Sequence, residues 1–364
     1  MRIKHARKFP TALAFGQNSP NEQFVAVIVK ATFRLENRQE PARLAEVQRA
    51  ILAGDELYDP KNPESSLKFE SEQVPFKPRS DIVLVGSAHA PHGRPVRSLD
   101  VLIRVGETRR ALRVFGDRLW SFPDPRDPPV VVGPAEFASM PLRYERSFGG
   151  SDERAGLDPE LPAFRPWCDG NLIGRGFCGK RSVESIHQKP LPNVEDPENL
   201  VRGWDSRPVP VGCGFFPRNS KPRSLFAGTY DDKWKATRAP EPPEDFRFDV
   251  YNGADRSLQV KNYLLGNESV TLTNVTPGGG TLECWLPCLK PHLVATGQGK
   301  TFVVPAQLDT LVFVPDEGIF YQVWRGLVGI ERPEKLGVDE VRIEYETLAP
   351  GPGASAFAPG RGYA

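Results

Sequence analysis

The stretch Phe24-Val25-Ala26-Val27-Ile28-Val29-Lys30-Ala31-Thr32-Phe33-Arg34-Leu35-Glu36 decides how the chain is read. Val29, Ala31, Phe33 and Leu35 alternate with Lys30, Thr32, Arg34 and Glu36, and side chains that alternate with period two point to opposite faces of a strand. The pattern predicts a strand with one buried face, continuing the apolar run from Phe24. Working outward, Ile82–Gly86 is a β-branched run closed by glycine. Val101, Ile103 and Val105 alternate with Asp100, Leu102 and Arg104, and Leu112 and Val114 resume the pattern after Gly106-Glu107, which predicts a hairpin. Further strands are predicted at Phe246–Tyr251, Leu258–Leu265, Ser269–Thr273 and Thr281–Leu286. Leu311–Val314 and Ile319–Trp324 flank the turn residues Pro315-Asp316-Glu317-Gly318 as a second hairpin, and Val341, Ile343 and Tyr345 mark a last strand. One short helix is predicted over Pro41–Leu52, where Leu44, Val47 and Ile51 have helical spacing and Gly54 follows the end.

Many short strands separated by turn signals predict a mainly β fold of antiparallel sheets, as a sandwich or as two smaller β subdomains, with long irregular Pro/Gly-rich loops. The 37 Pro and 33 Gly accord with the loops. The pattern divides the chain into a β-rich region at 1–150, a loop-rich stretch at 151–225 whose Trp167, Phe177, Trp204, Phe215 and Phe216 suit packing onto the sheets, a second β-rich region at 226–348, and a flexible Gly/Pro/Ala tail at 349–364.

Composition excludes several functions. With 47 basic and 46 acidic residues the net charge is +1, and no run of one sign offers the electrostatic footprint of a nucleic-acid binder. The basic stretch Met1–Gln17 has only Thr11–Phe15 as an apolar segment, too short for a signal-peptide core, and no run of about 18 apolar residues suggests a membrane span. A cytoplasmic protein with no membrane contact is the expectation. Five cysteines, an odd number, then read as reduced thiols rather than a disulfide framework.

Candidate chemistry is sparse. Gly174-Arg175-Gly176-Phe177-Cys178-Gly179-Lys180 resembles a phosphate loop, but Arg181 stands where a hydroxyl should hold magnesium, and no buried strand precedes Gly174. Cys284, Cys288 and His292 are spaced four apart, yet Pro287 and Pro291 oppose the helix that would align them as metal ligands. His89 and His92 read as a surface turn. No G-x-S-x-G or H-E-x-x-H is present, and Asp152-Glu153 and Asp231-Asp232 read as solvated loop charges. In Leu142-Arg143-Tyr144-Glu145-Arg146-Ser147-Phe148-Gly149-Gly150, a strand would put Arg143 and Glu145 on one face and Tyr144 and Arg146 on the other. That arrangement is an ion-pair cluster at a strand end or a partner-facing patch. No cofactor, metal or catalytic residue is expected.

An ordered set of blocks carries a family resemblance. It runs through Pro75–Gly86, Ala90–Val96, Val114–Trp120, Met140–Gly150, Asn171–Phe177, Leu191–Glu195, Ala227–Trp234, Pro243–Phe246, Tyr251–Ala254 and Leu265–Leu272. In these blocks, spread over roughly Phe24 to Leu286, the chain resembles a bacterial domain-of-unknown-function family whose members act as type VI secretion effector adaptors or chaperones. The resemblance implies a non-enzymatic protein that binds an effector toxin and assists its loading onto the VgrG spike. It points to Arg143, Tyr144, Glu145, Arg146, Gly174, Arg175, Gly176, Phe177, Tyr230, Asp231, Trp234 and Asn252 as structural or partner-binding positions. The alternatives are a carbohydrate-active or other hydrolytic enzyme on a β scaffold, and a self-assembling component of the apparatus.

Overall fold

Strand Glu22–Arg34 is flanked on both sides in a six-stranded sheet of order Gln259–Val260, Ser80–Leu84, Gln307–Val314, Ile319–Ile330, Glu22–Arg34, Thr11–Ser19. The computed structural model describes residues 2–5, 9–19, 22–124, 126–153, 166–179, 183–297, 299–330 and 338–351. Neighbouring strands of this sheet run antiparallel except Ser80–Leu84 beside Gln307–Val314, which are parallel. Register places Phe33 opposite Phe320 and Phe320 opposite Phe313, so three rings line one face with centroids 5.3 and 5.6 Å apart. Aromatic pairs at such spacing add to the burial of their area.

The expectation of one buried face for this strand is corrected: Lys30 and Thr32, on the polar side, are as buried as Val29 and Phe33. The cover comes from the stretch predicted as the helix Pro41–Leu52, which is not helical. Its backbone instead pairs with the end of the strand, Arg34 N–H donating to Arg43 O and Ala45 N–H to Thr32 O, while Gln48 bonds both Thr32 N–H and Thr32 O. The helical spacing of Leu44 and Val47 was accidental, and both remain exposed.

A five-stranded antiparallel sheet has the order Val194–Glu195, Thr108–Phe115, Ser98–Val105, Ser269–Thr273, Thr281–Trp285. Its hairpin turns at Gly106-Glu107, as the alternation predicted, and Leu99, Val101, Ile103 and Val105 enter the core. A third sheet has the order Arg2–His5, Glu340–Thr347, Leu289–Gly297, Lys300–Pro305. One hydrophobic core runs through all three, from Val27 and Phe313 through Ile103 and Leu272 to Leu293 and Ile343. The fold is therefore mainly β, with strands of both the 1–150 and 226–348 stretches in the two larger sheets.

Other readings change. Phe246–Tyr251 is not a strand: Phe248–Tyr251 closes as a 3-10 turn, its aromatic side chains meeting one another instead of alternating across a sheet. The strand predicted over Leu258–Leu265 shrinks to Gln259–Val260. Arg2–His5, Thr11–Ser19, Leu289–Gly297 and Lys300–Pro305 are strands that the pattern did not single out. Beyond Gly351 the tail lies outside the described residues, as do Lys180 and Arg181. No helix among the described residues is long and apolar enough to cross a membrane.

Candidate functional site

The family blocks converge on Asn193. Arg143–Ser147 is not a strand, because Arg146 N–H donates to Arg143 O and Ser147 N–H to Tyr144 O, coiling Tyr144–Arg146 into a 3-10 turn. The turn distributes its side chains in several directions rather than onto two faces. Tyr144 is buried with its ring edge-on to Phe216 at 5.2 Å. Arg143 lies over the Tyr58 ring at 3.9 Å, and Glu145 accepts bonds from Ser66 N–H and Oγ at 2.8 and 2.6 Å. Arg146 donates to Asp117 Oδ1 at 3.2 Å and to Asn193 Oδ1 at 3.1 Å. Arg175 reaches the same Asn193 Oδ1 at 3.2 Å and Glu145 O at 2.9 Å. Burial, and then the neighbouring Arg146 charge, lowers the pKa of Arg175. Asn193 Nδ2 completes the junction by donating to Phe115 O and Asp117 Oδ1 at 3.1 and 2.9 Å. Asn193 stands within a family block, but sequence alone does not mark it, because its partners come from segments more than 15 positions away.

In the glycine-rich segment the Arg175 and Phe177 amides are not free to cradle an anion. Arg175 N–H donates to Ser147 O and Phe177 N–H to Gly149 O, so these amides are already engaged by carbonyls. Glycine is needed for close backbone approach: a Cβ on Gly174 would lie 2.8 Å from Gly149 Cα, and one on Gly149 would lie 2.2 Å from Asn171 O. Asn171 ties the layers by donating to Tyr144 O and Phe148 O at 2.8 and 3.1 Å. Phe177 packs near Phe148 and under the Arg207 guanidinium.

The remaining predicted positions lie elsewhere. Asp231 caps the short helix Asp232–Thr237 by accepting from Trp234 N–H at 2.7 Å, the N-cap role expected of aspartate. Trp234 holds Glu241 O through Nε1, and the exposed Tyr230 ring meets it edge-on at 4.7 Å. Asn252 is buried beside the six-stranded sheet, donating to Arg79 O and to Asp81 Oδ1. Asp81 also accepts from Gly253 N–H and pairs with Lys77 at 2.8 Å, and Lys77 bonds Thr310 Oγ1.

The other titratable candidates are held in structural roles. Among the described residues no three His, Cys, Asp or Glu are grouped to hold a metal. Cys284 and His292 fall on different strands, with Cys288 between them at a positive φ. Burial pushes the Cys213 and Cys284 thiols up to about 12 and Cys288 up to about 11, well away from the thiolate form that reactivity needs. Asp152, read as a solvated charge, is buried, accepting from Gly179 N–H and Ser185 Oγ and lying 3.0 Å from Lys189 Nζ. His89 pairs with Asp316 at 2.7 Å, and His92 sits in a turn at φ 56°.

These junctions define a class: a β-sheet scaffold whose motif residues fasten loops to sheets. Residues 21–325 match a family of uncharacterized proteins conserved in bacteria, DUF2169, and the chain belongs to that family. Comparison with curated proteins and with solved structures gives no match.

Proposed function

We propose that the protein is a non-enzymatic, cytoplasmic adaptor that binds a type VI secretion effector toxin and assists its loading onto the VgrG spike. The observation that carries the reading is the use made of the motif side chains. Arg143 stacks over the Tyr58 ring, while Glu145, Arg146, Arg175 and Asn193 hydrogen-bond one segment to another, so that these motif side chains hold the surface together. The resemblance carried by the ordered sequence blocks is its other support. In such a function, affinity comes from apolar and aromatic anchors displayed on a rigid support. The test is co-expression of the tagged chain with the toxin and VgrG genes of its native neighbourhood. Co-elution of the toxin is the expected result, and retention of neither protein would overturn the proposal.

A further inference from the structure

Strand Thr11–Ser19 forms the outer edge of the six-stranded sheet. Lys30 N–H donates to Pro10 O, which fixes the hydrogen-bonded pairs as Ala12–Ile28, Ala14–Ala26 and Gly16–Phe24. Leu13, Phe15 and Gln17 stand in the intervening pairs, so their N–H and C=O groups point away from the sheet. Among the described residues these outward groups meet no hydrogen-bond partner. Native edges are normally blunted by charge, proline or a β-bulge, and the one irregularity here lies at the strand's end, between Gln17 and Ser19, beyond Leu13 and Phe15. The nine residues Thr-Ala-Leu-Ala-Phe-Gly-Gln-Asn-Ser contain neither charge nor proline, whereas the exposed edge Lys300–Pro305 begins with lysine and ends with proline.

Beside this edge opens a groove of about 310 Å³, close to the lower size of ligand pockets. Phe15, Phe24, Pro75, Phe246, Phe248 and Tyr251 dominate its lining, and none of its ten lining residues is charged although 26% of the chain is. Phe15 is 69% exposed. Gly16 forms part of the lining because the Phe24 ring lies against its backbone; a Cβ there would be 2.2 Å from Phe24 Cζ.

We infer that this edge is completed by an extended segment of a partner protein, added as a further strand, with an uncharged apolar side chain seated in the aromatic groove. Donors and acceptors on every second residue match only another extended backbone, and a lining without charge offers nothing to neutralise a charged occupant. The inference deepens the adaptor reading in taking the partner to be a protein, but does not depend on that partner being a toxin.

The test begins with the full-length chain and a phage-displayed library of random 12-residue peptides. A selected peptide, synthesised, is then added while amide hydrogen exchange is followed. Slowed exchange at Leu13, Phe15 and Gln17, with binding weakened about tenfold or more by Phe15→Asp, is the expected result. Failure to select any peptide, or selection of peptides that leave those three amides unchanged, overturns the inference. Concentration-dependent protection of the same amides without peptide, together with a dimer in sedimentation, assigns the edge to a second copy and also overturns it. Co-elution of the native toxin with wild type, while no selected peptide protects Leu13, Phe15 and Gln17, sinks the edge and spares the adaptor. Peptide protection without toxin retention does the reverse.

Discussion

Lys30 Nζ lies 2.7 Å from Glu72 Oε1 and 2.9 Å from Oε2, and both side chains are almost wholly buried on the face of the six-stranded sheet that its sequence marks as polar. Glu72 also accepts from Leu52 N–H, and Lys30 sits over the Tyr321 ring at 4.0 Å. Removing one member of a buried pair leaves the other charge uncompensated, at a cost of about 3–5 kcal/mol. Lys30→Met is expected to destabilise the fold by that order. Adding Glu72→Gln, which keeps an acceptor for Leu52, should recover much of the loss. Urea unfolding of the four-member mutant cycle measures it, and additive effects would show the pair to be uncoupled.

Acid should loosen the fold through Asp152. Burial opposes its charge, but bonds from Ser185 and Gly179 and the Lys189 ammonium outweigh that, holding its carboxyl below the ordinary aspartate range. The unfolded carboxyl, at about 3.9, therefore takes up a proton first as pH falls. The contribution of Asp152 is complete above that value and is lost as pH falls through the lowered folded pKa. Urea midpoints between pH 7 and pH 2 should decline less steeply for Asp152→Asn than for wild type across that window, from a lower starting stability.

Asn193→Ala removes the acceptor shared by Arg146 and Arg175 and the donor to Phe115 O. Each buried group left unpaired costs about 1–3 kcal/mol. Loss of stability with amide exchange rising first at Arg175 and Phe177 is the expected signature. Wild-type exchange at both amides would argue against a shared junction.

Gly149→Ala should be among the costlier glycine substitutions. At φ 148° a side chain is strained, and its Cβ would press to 2.2 Å on the Asn171 carbonyl. Backbone strain of this kind costs on the order of 1–3 kcal/mol. Thermal unfolding beside Gly54→Ala, where a Cβ meets nothing, supplies the control.

In the native chain Cys213, Cys284 and Cys288 should resist iodoacetamide at pH 8, being buried with raised thiol pKa values. Cys168, partly exposed, should be the first labelled, as peptide mass spectrometry after a short pulse would report.

Local alternation made the sheets legible. The hairpins around Gly106-Glu107 and Pro315–Gly318 fall where period two and turn chemistry placed them. Alternation misled where tertiary partners decide. Lys30 looked solvent-facing because nothing nearby in sequence announces Glu72, and Phe246 and Phe248 mimicked a strand although their rings gather in one cluster. Thr11–Ser19 was hidden because Ala12, Ala14 and Gly16, small residues, give little contrast with their neighbours. The resemblance located blocks that meet around Asn193 but not the way they meet, since the junction joins segments around Phe115, Arg146, Arg175 and Asn193.

Strand Glu22–Arg34 has Ile319–Ile330 as its inner neighbour, so the middle of the largest sheet must wait for the far end of the polypeptide. The 285 positions from Arg34 to Ile319 (319 − 34) take a ribosome roughly 15–60 s at bacterial to slower elongation rates of about 5–20 residues per second. During that interval the early hairpin Thr11–Arg34 carries an apolar edge with no mate on its other side. A nascent chain of this design has reason to depend on general folding helpers before it can serve any partner of its own, and a chain terminated before Ile319 would leave Glu22–Arg34 without its inner neighbour.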